Sequence, residues 1–383
     1  MSSKASGTST MGNDRNIKVR YVDLESQWEE EKDHLLPIMS EVMRSGQFIL
    51  GDIVDDLERL LASYCSVEHA IALNSGTDAL VCALYAAGVR AGDEVLTPPN
   101  SFIASTSSIT HLGATPVFVD VCEDQMMDPK LLQKSITKKT KAVMPVHLTG
   151  RMARMDEVCD VADKNGLVVI EDSAQSIGST YKGRASGAYG LAGCFSTHPL
   201  KNLNACGDGG FITTNNIQLA NEIKLMRNHG LIDRNKVEKF GFVSRMDALQ
   251  AAILRYRLGK LDNVISRRRL NAERYISSLD VEEVVFPIET KEYFNTYHTF
   301  VVRAKNRDKL ASWLLEKGIQ TAIHYPIPIH LQPAAQKLGY RHGDFPAVEC
   351  QAGEILSLPI HQYLKSDQID YVIESISKFY RQN

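Results

Sequence analysis

The chain has 383 residues, of which 44% are hydrophobic and 23% are charged, and its formal net charge is −3. This length exceeds what one hydrophobic core usually organises, so we expect two domains. The charge gives no reason to expect a nucleic-acid or anionic-membrane partner, and no apolar run is long enough to cross a bilayer.

The first residues, 1–15, are rich in serine, threonine and glycine and contain no apolar segment typical of a signal peptide. We expect residues 1–16 to form a disordered tail. The seven cysteines are dispersed and include no CxxC pair. We therefore expect free thiols and a cytoplasmic location, with no disulfide framework and no metal site.

Short apolar runs alternate with helical patterns between residues 70 and 216. Strands are predicted at Ala70–Leu73, Glu94–Leu96, Thr115–Val119, Lys141–Val146, Leu167–Ile170, Ala192–Phe195 and Gly210–Thr213. Helices are predicted between several of them, for example at Thr77–Ala87 and Met155–Asn165. This alternation indicates an α/β domain with a mostly parallel sheet, in which ligands bind beyond the carboxyl ends of the strands. We assign residues 17–250 to it.

The pattern changes after Phe242. Helical spacing predicts helices at Met246–Leu261 and Arg267–Leu279. Further elements are predicted as a strand at His298–Val302, a helix at Arg307–Lys317, a proline-rich turn at His324–Pro328 and a last helix at Ser366–Phe379. We interpret residues 251–383 as a smaller α+β domain.

The segment Asn74–Ala79 closes a predicted strand and opens a predicted helix. Gly76 permits close approach of the backbone. Thr77 places a hydroxyl at the helix N-terminus, where free N–H groups favour an anion. The segment is therefore either a phosphate-binding site or an ordinary helix cap.

Two further segments carry candidate chemical groups. The apolar strand Val168–Ile170 runs into Glu171 and Asp172. A carboxylate there either keeps a protonated ring nitrogen charged or caps a helix. Lys201 lies between a strand and the glycine-rich run Cys206–Gly210, and it is either a Schiff-base lysine or a surface lysine.

Taken together, these segments resemble the DegT/StrS sugar aminotransferases, which are fold-type I enzymes dependent on pyridoxal 5′-phosphate (PLP). The resemblance covers about residues 19–380. Its most specific matches are Glu171–Gln175, Tyr181–Arg184, Phe195–Ser196, Pro199–Leu203 and Gly207–Gly210. It implies a large α/β domain with a mostly parallel mixed sheet flanked by helices, and a smaller C-terminal α+β domain.

The resemblance also implies roles for individual residues. Lys201 is implied to bind the PLP aldehyde and then to act as acid and base. Asp172 is implied to pair with the pyridine nitrogen, and Gln175 to contact the ring hydroxyl. Phe102 is implied to stack on the ring, with a plain core aromatic as the alternative. The phosphate is implied to be held by Gly76, Thr77 and Ser196.

One position departs from the family pattern. Relatives usually have Gly-aromatic-Asn before Ser/Tyr-Arg, and in the segment Gly241–Arg245 this chain has Val243 in place of the asparagine. That amide normally reaches the cofactor phosphate of the neighbouring subunit. Unless another donor replaces it, phosphate binding is weaker by the value of one bond to a charged group, about 1.5–3 kcal/mol.

The resemblance implies that L-glutamate donates the amino group and that a dTDP- or UDP-linked keto-hexose accepts it, at C3 in preference to C4. Such amino sugars belong to lipopolysaccharide or antibiotic biosynthesis. Arg245, His324 and Tyr325 resemble the residues that bind the nucleotide sugar, although the proline-flanked turn is also consistent with a rigid connecting loop. Relatives complete the site across a dimer interface, so we expect a homodimer with shared active sites.

Two other functions stay open. A PLP-family sugar dehydratase has histidine at the position of the lysine, so Lys201 disfavours that reaction. A non-catalytic or regulatory PLP-binding relative is supported only by Val243.

Overall fold

The structure is a computed structural model that describes residues 16–287 and 289–382. The predicted tail, residues 1–16, therefore lies almost entirely outside the described residues. Within the described ranges, no helix combines the length and the apolar character needed to span a bilayer.

The helices begin in a segment for which the sequence pattern had predicted no element. In chain order they are α1 (Leu24–Ser45), α2 (Asp52–Tyr64), α3 (Gly76–Ala86), α4 (Ile103–His111), α5 (Pro129–Ser135), α6 (Met155–Lys164), α7 (Ile217–Met226), α8 (Ala248–Leu258), α9 (Leu261–Ser278), α10 (Arg307–Glu316), α11 (Pro346–Glu354) and α12 (Ser366–Gln382).

The strands include all seven that were predicted before residue 216, with ends that shift by at most three residues. In chain order they are β1 (His69–Leu73), β2 (Glu94–Thr97), β3 (Thr115–Phe118), β4 (Thr140–Val143), β5 (Val168–Asp172), β6 (Thr180–Tyr181), β7 (Arg184–Ala185), β8 (Ala192–Ser196), β9 (Gly210–Thr214), β10 (Leu231–Asp233), β11 (Lys236–Val237), β12 (Val284–Val285), β13 (Tyr293–Phe294), β14 (Phe300–Ala304) and β15 (Ile355–Leu358).

The seven predicted strands form a single sheet in the order β1-β9-β8-β5-β4-β2-β3. The five strands β8, β5, β4, β2 and β3 are parallel to one another, whereas β9 runs antiparallel to both β8 and β1. The predicted mostly parallel mixed sheet is thus confirmed. Because only β9 is reversed, the other six strands all end at the same edge of the sheet.

Both faces of this sheet are buried by helices, as the strand β1 illustrates. Ile71 and Leu73 pack into the cluster that contains α3 and α7. Ala70 and Ala72, which point the other way, pack into the cluster that contains α2 and α8. Successive side chains of a strand alternate between its faces, so an uninterrupted apolar strand requires helices on both sides.

The C-terminal elements have a core of their own. Apolar side chains of α9, β14, α10, β15 and α12 form one buried cluster, and Val19 from the N-terminal segment joins it.

The proposed division at residue 250 falls within α8, whose Ala251 and Leu254 pack with the large sheet. The break between the two predicted helices lies at Gly259 and Lys260, since glycine is a weak helix former.

Candidate active site

A cavity of about 520 Å³ lies at the edge where the parallel strands end. Nine of the ten predicted site residues line it: Gly76, Thr77, Phe102, Asp172, Gln175, Ser196, Lys201, His324 and Tyr325. Arg245 is not among the lining residues. Segments far apart in sequence therefore meet in one site, as expected at the carboxyl ends of strands.

The carboxylate of Asp172, the last residue of β5, is buried and held from two sides. Ser105 Oγ, on α4, donates to Oδ2 at 2.6 Å, and the N–H of Ala174 donates to Oδ1 at 3.2 Å. Burial raises the pKa of Asp172, while these hydrogen bonds and the charge of Lys201 oppose the rise. A cation placed beside this buried carboxylate would stabilise its ionised form.

Lys201 lies in the loop between β8 and β9. Burial lowers its pKa to about 8, and the attraction of Asp172 opposes this shift. The loop is fixed on both sides, because the side chain of Asn202 donates to the carbonyl of Thr296 at 3.2 Å and that of Asn204 donates to the carbonyl of Pro199 at 2.8 Å. A buried amine near neutrality on a fixed loop is suited to forming a Schiff base.

The start of α3 forms one end of the cavity. Ser75 is its N-cap, and the side chain of Ser75 accepts from the N–H of Asp78 at 3.1 Å. A Cβ on Gly76 would lie 2.7 Å from Cβ of Ser196, so glycine is required for this close approach. The hydroxyls of Thr77 and Ser196 thus gather beside a helix N-terminus, an arrangement that fits a phosphate group.

Gln175, Tyr325 and Phe102 form a connected wall. Gln175 Oε1 accepts from the N–H of Thr149 at 2.8 Å, which leaves its amide N–H groups for other partners, and Tyr325 lies within hydrogen-bonding reach. The rings of Phe102 and Tyr325 are 5.9 Å apart, and Phe102 is 55% exposed. Phe102 is therefore not a core aromatic, and it is open to the cavity.

His324 also faces the cavity from the proline-flanked turn. Its Nδ1 lies 2.8 Å from Ser357 Oγ, and its ring stacks on Tyr21 with centroids 5.9 Å apart. Burial lowers the pKa of His324 to about 4, and the charge of Lys201 adds to the shift. The imidazole is therefore neutral near pH 7, and the turn contributes polar groups to the site.

Arg245 and Val243 lie apart from the cavity of their own chain. Arg245 Nη1 donates to Asn228 Oδ1 at 2.9 Å. Val243 is 48% exposed and pairs with Asn228 in an isolated bridge. Within one chain, therefore, neither residue is brought to the other candidate groups.

A buried pair supports the end of β5. His147 Nδ1 accepts from the N–H of Ala153 at 3.1 Å, so the ring proton is on Nε2, which lies 2.9 Å from Glu171 Oε2. Glu171 also accepts from the N–H groups of Tyr189 and Gly190. Two acids end this strand. The carboxylate of Glu171 is hydrogen-bonded inside the protein, whereas Asp172 faces the cavity.

Several residues of the site had no signal in the sequence. Ser105 reaches Asp172 only because α4 packs at the edge of the sheet. His298 and Arg268 line the cavity from the C-terminal part of the chain. No group of three histidine, cysteine, aspartate or glutamate side chains suited to a metal ion occurs within residues 16–287 and 289–382.

Comparison with curated proteins finds similarity along nearly the whole chain. A "Pleiotropic regulatory protein" of Geobacillus stearothermophilus is 43% identical over 369 residues, covering 95% of this chain and 99% of that protein. A dTDP-3-amino-3,4,6-trideoxy-alpha-D-glucose transaminase of Streptomyces venezuelae is 39% identical over 94% of this chain and 96% of its own length. A UDP-2-acetamido-2-deoxy-3-oxo-D-glucuronate aminotransferase of Pseudomonas aeruginosa is 37% identical over 94% and 99%.

Solved structures share the fold. DesV of S. venezuelae, crystallised with a ketimine intermediate, superposes with a TM-score of 0.92 at 38% identity over 95% of this chain and 98% of its own. NtdA of Bacillus subtilis, with bound pyridoxamine phosphate (PMP), superposes with a TM-score of 0.90 at 30% identity over 97% and 86%. The model of the DegT/DnrJ/EryC1/StrS aminotransferase family matches residues 29–377. The predicted family and fold are confirmed, and the chain belongs to the DegT/DnrJ/EryC1/StrS aminotransferase family.

Proposed function

We propose that this protein is a PLP-dependent aminotransferase that transfers the amino group of L-glutamate to C3 of a dTDP- or UDP-linked keto-hexose in amino-sugar biosynthesis. The observation that carries the proposal is that Lys201 and Asp172 line the same cavity and interact electrostatically. The transaminase of S. venezuelae and the aminotransferase of P. aeruginosa support a C3 keto group, by the sugars in their names.

The residues at the cavity fit PLP. Gly76, Thr77 and Ser196 would hold its phosphate, because they place N–H and hydroxyl donors beside a helix N-terminus. Asp172 would keep the pyridine nitrogen protonated, and Lys201 would carry the cofactor. When bound, PLP supplies an electron sink that stabilises negative charge on the substrate carbon.

Gln175 and Phe102 would orient the cofactor ring. Gln175 has its Oε1 occupied by Thr149, so it would donate its amide N–H to the ring hydroxyl. Phe102 is exposed at the cavity and would cover one face of the ring.

Lys201 would also move the proton. A pKa of about 8 leaves a useful fraction of its amine neutral near pH 7, so Nζ would take a proton from the substrate carbon and deliver it to the reacting carbon of the cofactor. The hydrogen bond from Ser105 is among the interactions that would favour the ionised form of Asp172 during this transfer. Burial of both groups strengthens their interaction by excluding water.

The nucleotide sugar would bind through His324 and Tyr325, which offer polar atoms at the cavity wall. Arg245 would act on the cavity of the partner subunit in a homodimer with shared active sites, since it does not reach its own. A second subunit is supported by large apolar side chains that are exposed on and after α1: Leu24, Trp28, Leu36, Met43, Phe48 and Ile49. Free cysteines support a reducing, cytoplasmic setting.

A regulatory role is the second candidate, since the relative from G. stearothermophilus carries a regulator's name. A PLP-dependent dehydratase is disfavoured by Lys201, as the sequence already indicated. The two candidates differ in turnover, because a regulator has no need of an amino donor.

The test is to load the purified protein with PLP and to add L-glutamate, followed by a panel of 3-keto and 4-keto nucleotide sugars. We expect the yellow colour of the bound cofactor to bleach with glutamate and to return with a 3-keto sugar, and the amino product to be identified by mass and NMR. Colour that persists with every donor would refute the aminotransferase and favour the regulator. Return of colour only with 4-keto sugars would move the reaction to C4.

A further inference from the structure

A buried arginine on α9 lines the cavity and has no acidic partner among residues 16–287 and 289–382. Arg268 Nη1 donates to the carbonyls of Tyr297 at 3.3 Å and His298 at 3.1 Å. Its Nε is buried and has no hydrogen-bond partner within the described parts of the chain. The guanidinium group thus uses only part of its donors on the protein itself.

The acids that line the cavity are Asp23, Asp172 and Asp208, and none of them forms an ion pair with Arg268 in the described parts of the chain. Asp23 accepts from the N–H and hydroxyl of Ser26, and Asp172 accepts from Ser105 and Ala174. Burial lowers the pKa of Arg268 to about 10, and the groups that oppose this shift are tyrosine hydroxyls. A buried cation without an anion is costly, so a bound anion would stabilise this site.

The neighbours of Arg268 are polar and also incompletely paired. His298 and His361 line the cavity, and the Nδ1 of each is buried without a partner among the described residues, as is Thr299 Oγ1. Burial lowers the pKa of His298 well below its usual range and that of His361 to about 4, so both rings are neutral near pH 7. His361 Nε2 donates to the carbonyl of Arg20 at 3.2 Å, so the unpaired Nδ1 of His361 is an acceptor. The neutral ring of His298 can donate one hydrogen bond to an anion without adding a charge.

His298 links Arg268 to the proposed reaction centre. Arg268 Nη1 donates to the carbonyl of His298 at 3.1 Å, and Lys201 lines the same cavity as these two residues. A ligand with an amine at Lys201 and a carboxylate at Arg268 would satisfy both ends. Arginine suits this role because its planar donors match the two oxygens of a carboxylate.

We propose that Arg268 is a carboxylate-binding residue of the cavity and that it recognises a carboxylate of the amino donor. The inference rests on the proposed aminotransferase function and assigns a specificity residue to its first half-reaction. A carboxylate could also come from the acceptor, if the sugar is a uronate like that in the name of the P. aeruginosa relative. The experiment therefore has one arm for each source.

The donor arm compares Arg268→Gln and Arg268→Lys with the wild type, each loaded with PLP. Arg267→Gln is the matched control, because Arg267 is the preceding residue of the same helix and forms an exposed ion pair with Glu30. We measure bleaching of the cofactor colour against glutamate concentration. Half-saturation should rise on the order of 10- to 100-fold for Arg268→Gln and less for Arg268→Lys, with no change for Arg267→Gln.

A ligand-binding measurement on the wild type does not depend on the variants folding. Glutarate, a dicarboxylate without an amine, should protect the colour from bleaching and bind detectably by calorimetry. Butyrate, which keeps one carboxylate, should also compete, whereas butyramide, which has none, should not. Equal competition by butyrate and butyramide would overturn the proposal.

The acceptor arm uses the aminated protein and paired acceptors, a keto-hexose and the matching keto-uronate. If Arg268→Gln lowers the amination rate of the keto-uronate alone, the carboxylate belongs to the acceptor. This result would support a carboxylate site at Arg268. If Arg268→Gln lowers the amination rate of both acceptors equally and leaves half-saturation by glutamate unchanged, Arg268 contacts the diphosphate. This result would contradict the proposal. If the wild type itself fails to bleach with glutamate, the proposed function fails. If wild type and Arg268→Gln bleach equally with glutamate and also aminate both acceptors equally, only the inference is refuted.

Discussion

Ser105 Oγ lies 2.6 Å from Oδ2 of Asp172, although the two residues are 67 positions apart in the chain. This hydrogen bond is among the interactions that hold the pKa of Asp172 down against the effect of burial. The carboxylate is therefore both oriented and kept closer to ionisation by a side chain from another helix. Its charge is the property on which the proposed role depends.

Removing only the charge of Asp172 should reduce turnover and leave the fold intact. Asn in Asp172→Asn retains an oxygen that can accept from Ser105, but it cannot stabilise a protonated ring nitrogen. We expect PLP to bind and the rate of the glutamate half-reaction to fall by roughly 10²-fold or more, as for loss of a preorganised electrostatic contact. Stopped-flow absorbance measures this rate.

Ser105→Ala serves as the comparison for that variant. It removes a hydrogen bond that lowers the pKa of Asp172, so the acidic limb of the kcat/KM profile should move to higher pH. If the acidic limb of the pH profile is unchanged in Ser105→Ala, or if Asp172→Asn reacts as fast as the wild type, the charge of Asp172 takes no part in the reaction.

Lys201→Ala should lose the covalent attachment of the cofactor together with transamination, because among the described residues Lys201 is the lysine that lines the cavity. Mass spectrometry after borohydride reduction identifies the modified lysine. Lys309→Ala is the control, since Lys309 is exposed on α10. A reduced adduct on another lysine, or normal turnover by Lys201→Ala, would contradict the assigned mechanism.

The buried Lys201 should make the stability of the cofactor-free protein depend on pH. The pKa of Lys201 in the folded state is about 8, below its ordinary value of 10.5, so between these values the unfolded chain binds more protons. Its contribution to the free energy of unfolding therefore rises with pH, by on the order of 1 kcal/mol from pH 7 to 9. Urea unfolding of wild type and Lys201→Met measures this difference.

The difference between the two proteins isolates Lys201 from the other titrating groups. Cysteine and tyrosine side chains whose pKa is raised by burial act in the opposite direction at higher pH, and they are common to both. Parallel stability curves for wild type and variant between pH 7 and 9 would show that Lys201 is not desolvated.

Gly76→Ala should damage the phosphate end of the site. The added Cβ would lie 2.7 Å from Cβ of Ser196 and 3.0 Å from its Cα, and neither atom belongs to a flexible side-chain end. We expect a loss of about 1–3 kcal/mol in the free energy of unfolding and weaker retention of PLP. Gly353→Ala, where nothing lies within 4 Å, should be tolerated. Denaturant unfolding and dialysis of the loaded protein report the two effects, and equal behaviour of both variants would argue against a close approach.

Val243→Asn restores the amide that relatives carry at this position. If that amide reaches the partner's cofactor phosphate, PLP affinity should rise on the order of 10-fold or more, the value of one hydrogen bond to a charged group. Equilibrium dialysis across a range of protein concentrations measures the affinity and shows whether it depends on dimer formation. Val243→Thr is the control for polarity, since its side chain has nearly the shape of valine. An unchanged PLP affinity in Val243→Asn would mean that another donor already binds the cofactor phosphate at this position.

The sequence by itself determined the strands of the large sheet and the groups that follow them. Uninterrupted apolar runs such as Val168–Ile170 require burial on both faces, and parallel strands bring the residues at their ends to one edge. The family motifs then identified nine of the residues that line the cavity. Seven of these nine follow a strand end or lie at a helix start, where local signals are strong, whereas His324 and Tyr325 were identified by the family motif in a proline-flanked turn.

Only the tertiary structure decided which distant groups complete the site. Ser105 reaches Asp172 because α4 packs at the sheet edge, and Arg268 reaches the cavity because α9 carries it alongside the segment at His298. Arg245 has a family motif but does not line the cavity of its own chain. Contacts between segments far apart in sequence depend on packing, and packing leaves no periodic or local pattern from which a side chain's final neighbours can be read.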